Sequence, residues 1–212
     1  MHKRIGLFVC ILTLLTLTSC FPESKNSLTA VADAELDTSL VGLWTRDDAD
    51  DVQYLHIGGE AEKALTAGAD KPEPGLMRFL FTGQGKEDGR AVLRGTVGGR
   101  FFVSKLGDER FMNLVQPIEE AHPAEPAGDR SFVFIKYKVQ KDELTVWFLS
   151  MQEAVKAIER GDLTGSVTRE GETVKNVQLT GETKDLATFF QSDAGKSLFP
   201  DNGGKMVFRR LR

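Results

Sequence analysis

The sequence predicts a mainly β protein, a single antiparallel barrel of about 8–10 strands interrupted by two short helices. Short apolar runs, many alternating with polar residues, follow one another along most of the chain and are separated by Gly, Asn and Asp clusters. Helical spacing is confined to two segments, near 151–161 and 184–194. The 212 residues are 41% hydrophobic and 27% charged, which suits one folded domain with a real core and disfavours disorder or a collagen-like chain. Closing such a sheet on itself removes exposed edges.

Leu40–Arg46 and Val52–Ile57 read as strands flanking the acidic loop Asp47–Asp51. Leu76–Thr82 and Ala91–Val97 flank a Gly-rich loop, Gly83–Gly89, and Gly98-Gly99 reads as a tight turn into Arg100–Leu106. Phe111–Val115 follows, then a Pro-containing surface loop, Glu119–Asp129. Ser131–Gln140 and Leu144–Ser150 form the clearest hairpin. In its first arm Ile135, Tyr137 and Val139 alternate with Lys136 and Lys138, whereas its second arm is apolar on both faces. Ser150 and Glu153 have capping-box spacing ahead of the first helix, with Gly161 as its stop. Thr183 and Gly195 bracket the second helix, whose apolar face is Leu186, Phe189 and Phe190. The remaining strands are Leu163–Arg169, Val174–Thr180 and Lys205–Leu211, with Asn202-Gly203 as a hairpin signal.

The N-terminus is organised differently. His2-Lys3-Arg4 precedes an uncharged apolar run, Ile5–Leu17, too short to span a bilayer and shaped like a secretory signal. Leu17-Thr18-Ser19-Cys20 resembles the lipobox of bacterial lipoproteins; an ordinary signal peptide with a chance cysteine is the plainer reading. The resemblance implies cleavage before Cys20, lipid attachment at Cys20, and a membrane partner reached through that anchor. It further implies the cell envelope, and the outer membrane facing the periplasm if the host is Gram-negative, because Phe21 and not Asp follows the cysteine. The expected organisation is a signal peptide over 1–19, a lipidated flexible tether over 20–39 and one β-domain over 40–212. The mature chain then has no free thiol and no disulfide, and loss of Lys3 and Arg4 takes the net charge from −4 to −6. That acidic balance disfavours nucleic acid as a partner.

Gly42-Leu43-Trp44, at the start of the first predicted strand, resembles the Gly-x-Trp motif of lipocalins. The resemblance implies an eight-stranded cup with Gly42 and Trp44 plugging one end and an Arg of the last strand packed over the indole. Arg209 is assigned that place, with its neighbour Arg210 as the alternative. Two helices and the missing disulfide depart from the family pattern.

The chemistry-bearing residues are sparse. His56 and His122 are the histidines of the mature chain, and they offer no zinc ligand set and no nucleophile elbow, so no metal, cofactor or catalytic residue is assigned. Asp47–Asp51 lacks the calcium-loop pattern, and the Gly-rich loops lack the phosphate-loop ending. Aromatics from successive strands either fill a solid core or line an apolar pocket; Phe81, Phe102, Tyr137 and Trp147 are the ligand-binding candidates. The functional expectation is therefore a lipid-anchored binding module for a small apolar ligand. The alternative is a structural or interaction lipoprotein that docks an envelope protein through an edge strand or the 151–161 helix; an enzyme is the least favoured class.

Overall fold

A computed structural model of the chain describes residues 21–48, 51–60, 75–87, 90–116 and 131–212. The lipobox with Cys20, the acidic-loop tip and the loop containing His122 lie outside the described residues. Strand β1 is Glu23–Ser24, followed by β2 (Gly42–Asp48), β3 (Asp51–Glu60), β4 (Met77–Glu87), β5 (Arg90–Leu106), β6 (Glu109–Gln116), β7 (Ser131–Gln140) and β8 (Glu143–Phe148). Helix α1 (Met151–Glu159), β9 (Gly165–Glu170), β10 (Thr173–Leu179), α2 (Thr183–Gln191), α3 (Asp193–Lys196), α4 (Asp201–Gly204) and β11 (Lys205–Arg210) complete the chain.

Strands β2 to β8 and β11 form a closed, antiparallel eight-stranded barrel of lipocalin-like form. Sequential neighbours pair from β2 to β8, β8 pairs β11, and β11 returns to β2. The segment between β8 and β11 is an insertion packed on the outside. Strand β8 ends at Phe148, opposite Ile135, and above that point β7 pairs with β1 instead, through Phe132 and Val133. Strand β1 runs parallel to β10, and β9 closes this side sheet as an edge.

Two cores result, and strand alternation sorts residues between them. Phe101, Met112, Val133, Ile135 and Val146 face the barrel interior. Their neighbours Phe102, Phe111, Phe132 and Phe134 face outward and are buried beneath the insertion. Phe190 of α2 is the hub of this second core. Its ring lies 5.3 Å from Phe134, 5.8 Å from Phe111 and 5.7 Å from Phe199, at steep mutual angles that suit aromatic quadrupoles. The outer face of β7 is thus dry where it carries Phe132 and Phe134 and wetter where it carries Lys136 and Lys138.

Several expectations about local structure are corrected. Gly98-Gly99 makes no turn: β5 runs unbroken from Arg90 to Leu106, with Gly98 opposite Leu80 and Gly99 opposite Phe79. The Gly83–Gly89 loop is mostly strand, because β4 continues to Glu87. Asn202-Gly203 lies in a helical turn, not a hairpin. The α1 start is as expected, Ser150 Oγ accepting from the Glu153 amide at 3.3 Å, and Gly161 adopts the left-handed conformation that ends the segment. Helix α2 ends at Gln191; Ser192 then caps a separate turn, α3.

The expected flexible tether is also corrected over 21–39, most of which packs on the barrel. Leu28 is fully buried in the second core, and its amide donates to Asn113 Oδ1 at 3.0 Å. Asn113 in turn donates to the Phe102 carbonyl and Ser104 Oγ, and Ser104 meets Thr29. Further on, Asp37 accepts from Tyr137 Oη at 2.7 Å and from Arg110. Burial pushes the Asp37 carboxyl up, but hydrogen bonds from Ser39, Tyr137 and Arg110 outweigh it and hold the carboxyl below its usual range. Burial, then the hydrogen bond to Asp37 and the Asp37 charge, push the Tyr137 phenol well above its usual value.

Candidate functional site

The closed end of the barrel is built around Trp44, which is fully buried and donates from Nε1 to the Leu40 carbonyl at 2.8 Å. Arg210 lies directly opposite Trp44 in the β2–β11 register, so the two side chains share a face. The guanidinium carbon stands 4.0 Å from the centroid of the indole ring, within cation–π range. Its two terminal nitrogens donate to the carbonyls of Val41 and Ser39 at 2.6 and 2.7 Å, tying the turn before β2 to the last strand. Gly42 has φ +141°, and a Cβ there would stand 2.6 Å from Arg210 Nη1. The position therefore needs glycine for both backbone and space. The assignment of Arg209 is corrected to Arg210: Arg209 is exposed on the outer face, opposite Thr45 and Glu143.

Beyond this end the interior holds a cavity of about 220 Å³. Ile57, Phe101 and Phe208 are among its fully buried lining, and Phe79, Phe81 and Met206 form part of its walls. Of the described residues that line it, Gln116 is the one polar side chain. Phe21 completes the wall where β8 ends, its ring stacked on Phe148 at 5.0 Å and 25°. Such a lining binds through dispersion and exclusion of water. It selects by size and shape, because it presents almost no polar groups to fix an orientation.

The four ligand-binding candidates do not converge. Phe81 lines the cavity. Tyr137 also faces inward, but its hydroxyl leaves the barrel to bond Asp37. Phe102 lies in the second core, its ring edge-on to Phe132 at 5.9 Å. Trp147 is on the outer wall, where it donates from Nε1 to Asp201 at 2.8 Å and is flanked by the Lys136 and Lys205 ammonium groups at 5.5 and 5.6 Å. That contact pins the α4 turn to β8. The Trp147 hydrogen bond and the charge of Lys205 hold Asp201 below its usual range.

Sequence reasoning did not single out Phe79, Phe101, Phe148 or Phe208 as ligand contacts. The available signal was alternation: Phe79 and Phe81 share one face, and Phe208 shares a face with Arg210. His56 is exposed on the outer wall opposite Leu43 and Leu80, whereas Ser104 is buried and bonded to Thr29 and Asn113, so these two do not meet. Among the described residues no group of three or more His, Cys, Asp or Glu side chains is placed to hold a metal ion. The chain matches no family model, no curated protein and no solved structure.

Proposed function

We propose that this chain is an exported lipoprotein, acylated at Cys20, whose barrel holds a small apolar ligand. The observation that carries the binding half is the apolar cavity of about 220 Å³ inside a closed barrel. An engineered apolar cavity of about 150 Å³ stays dry and takes up benzene, so this one suits a fused-ring system or a stretch of hydrocarbon chain. It is smaller than the roughly 300–1,000 Å³ of sites for drug-sized molecules, so bulky ligands are excluded unless the walls move. Affinity follows the apolar area removed from water, about 25 cal/mol per Å² before association costs. The anchoring half is supported by the basic flank, the short apolar run and the four-residue box ending at Cys20. A thioether-linked diacylglycerol supplies the two chains that stable attachment requires.

The test is a fluorescence titration of the Phe21–Arg212 chain with the apolar dye N-phenyl-1-naphthylamine. Saturable enhancement at one site per chain is expected. It is lost in Val146→Trp, whose added rings occupy the cavity, while the circular dichroism spectrum is retained. An equal response from both proteins, or one that never saturates, contradicts an interior site.

A further inference from the structure

We infer that the open rim of the barrel is the face that touches the anchoring bilayer, so the cavity opens toward lipid and not toward bulk water. This rests on the reading of Cys20 as the acylated residue. The place of Phe21 in the barrel decides the orientation. Phe21 is itself part of the cavity wall, stacked on Phe148 at the place where β8 stops. Consecutive Cα atoms are about 3.8 Å apart, so a lipid on Cys20 leaves the protein within one residue of the cavity lining. No spacer intervenes, because Pro22, Ser24, Ser27 and Leu28 are all buried against the body. With so short a lead the wall around Phe21 stays at the membrane surface, and Trp44 and Arg210 lie at the far end of the barrel from the rim.

A second observation marks the same end. The β4–β5 hairpin stands on the rim side, and it carries Leu93, the most exposed large apolar side chain among the described residues at 69%. Exposed Arg90 in the same hairpin suits lipid phosphate, with Glu87 paired opposite it. Asp47 and Asp51 on the adjacent β2–β3 hairpin oppose deep burial in an anionic leaflet. Contact is therefore shallow: Leu93 enters the interface and the rim beside Phe21 rests on it, while the closed end stays in water. The ligand class that follows is a lipid acyl chain or another apolar solute of the bilayer, which reaches the cavity without crossing water.

The experiment uses the mature acylated protein, in which lipid consumes the Cys20 thiol, so that one introduced cysteine takes one label. Leu93→Cys and Asp108→Cys place an environment-sensitive nitrobenzoxadiazole on the rim hairpin and on the β5–β6 turn at the closed end. Each protein is reconstituted into phosphatidylethanolamine–phosphatidylglycerol vesicles with and without shallow doxyl-lipid quencher, and its N-terminal peptide is weighed. The inference predicts a blue-shifted, several-fold quenched signal at 93 and an unquenched, aqueous signal at 108. An acylated protein whose label at 93 is unquenched, or no more quenched than at 108, overturns the orientation alone. An N-terminal peptide without acyl mass overturns the lipoprotein reading and this inference together.

Discussion

Trp44 and Arg210 close one end of the barrel with the indole N–H and both terminal guanidinium nitrogens directed at carbonyls. The indole donates to Leu40, the guanidinium donates to Ser39 and Val41, and the two side chains stack. Removing the guanidinium leaves the part-buried Val41 carbonyl unpaired, breaks the exposed bond to Ser39 and removes the stack on Trp44, at about 1–3 kcal/mol together. Arg210→Gln is therefore expected to lower the unfolding free energy by that amount, read as a lower urea midpoint with an unchanged slope. Arg209→Gln, on the exposed face, is expected to stay within about 0.5 kcal/mol. Equal effects from the two variants would contradict the register described. The Gly-x-Trp pair was legible in three residues, but the choice between adjacent arginines was not. It follows only when Phe208 is known to face inward, because alternation then places Arg210 on the same side.

The N-terminal strap is the element whose character the sequence conceals. Pro22, Glu23, Ser24, Lys25, Asn26 and Ser27 read as a solvated linker, yet Ser24 and Ser27 are buried and Leu28 is held by a side chain 85 positions away. Local composition carries no trace of so distant a partner. Asp37 locks the end of the strap, and its folded-state pKa lies below the unfolded value of about 4. Its contribution is thus full above about pH 4 and is lost as pH falls through the lowered folded value. Thermal denaturation of the native protein and Asp37→Asn should differ most at neutral pH and converge in acid; a gap that persists at pH 2 would contradict that role for Asp37. Turn signals failed for a related reason. Gly98-Gly99 and Asn202-Gly203 permit turns, but cross-strand pairing along β5 and the helical turn after Pro200 overrode them. The capping residue Ser150 succeeded because its partner, Glu153, is local.

At the scale of the whole molecule, the fold class was legible because alternation survives in any half-buried strand. The site was legible only in part. Strands β5 to β7 are apolar on both faces, one lining the barrel and the other lying under the β8–β11 insertion, and periodicity cannot say which face is which. Phe81 lines the cavity, while Phe102, adjacent to interior Phe101, belongs to the other core. The insertion also uses up the apolar face of α1, whose Ala154, Val155 and Ala157 are buried against the second core, so that helix offers no apolar docking face. Edge strand β9 ends in Arg169 and Glu170, charges of the kind that discourage strand addition. Among the described residues, the apolar space left for a ligand is the barrel interior. Native mass spectrometry of the Phe21–Arg212 domain, exported by its own host and purified without detergent, tests this most directly. A retained apolar molecule at one per chain is expected, absent from Val146→Trp. An unliganded mass in both proteins, or the same adduct on both, would contradict an interior binding site.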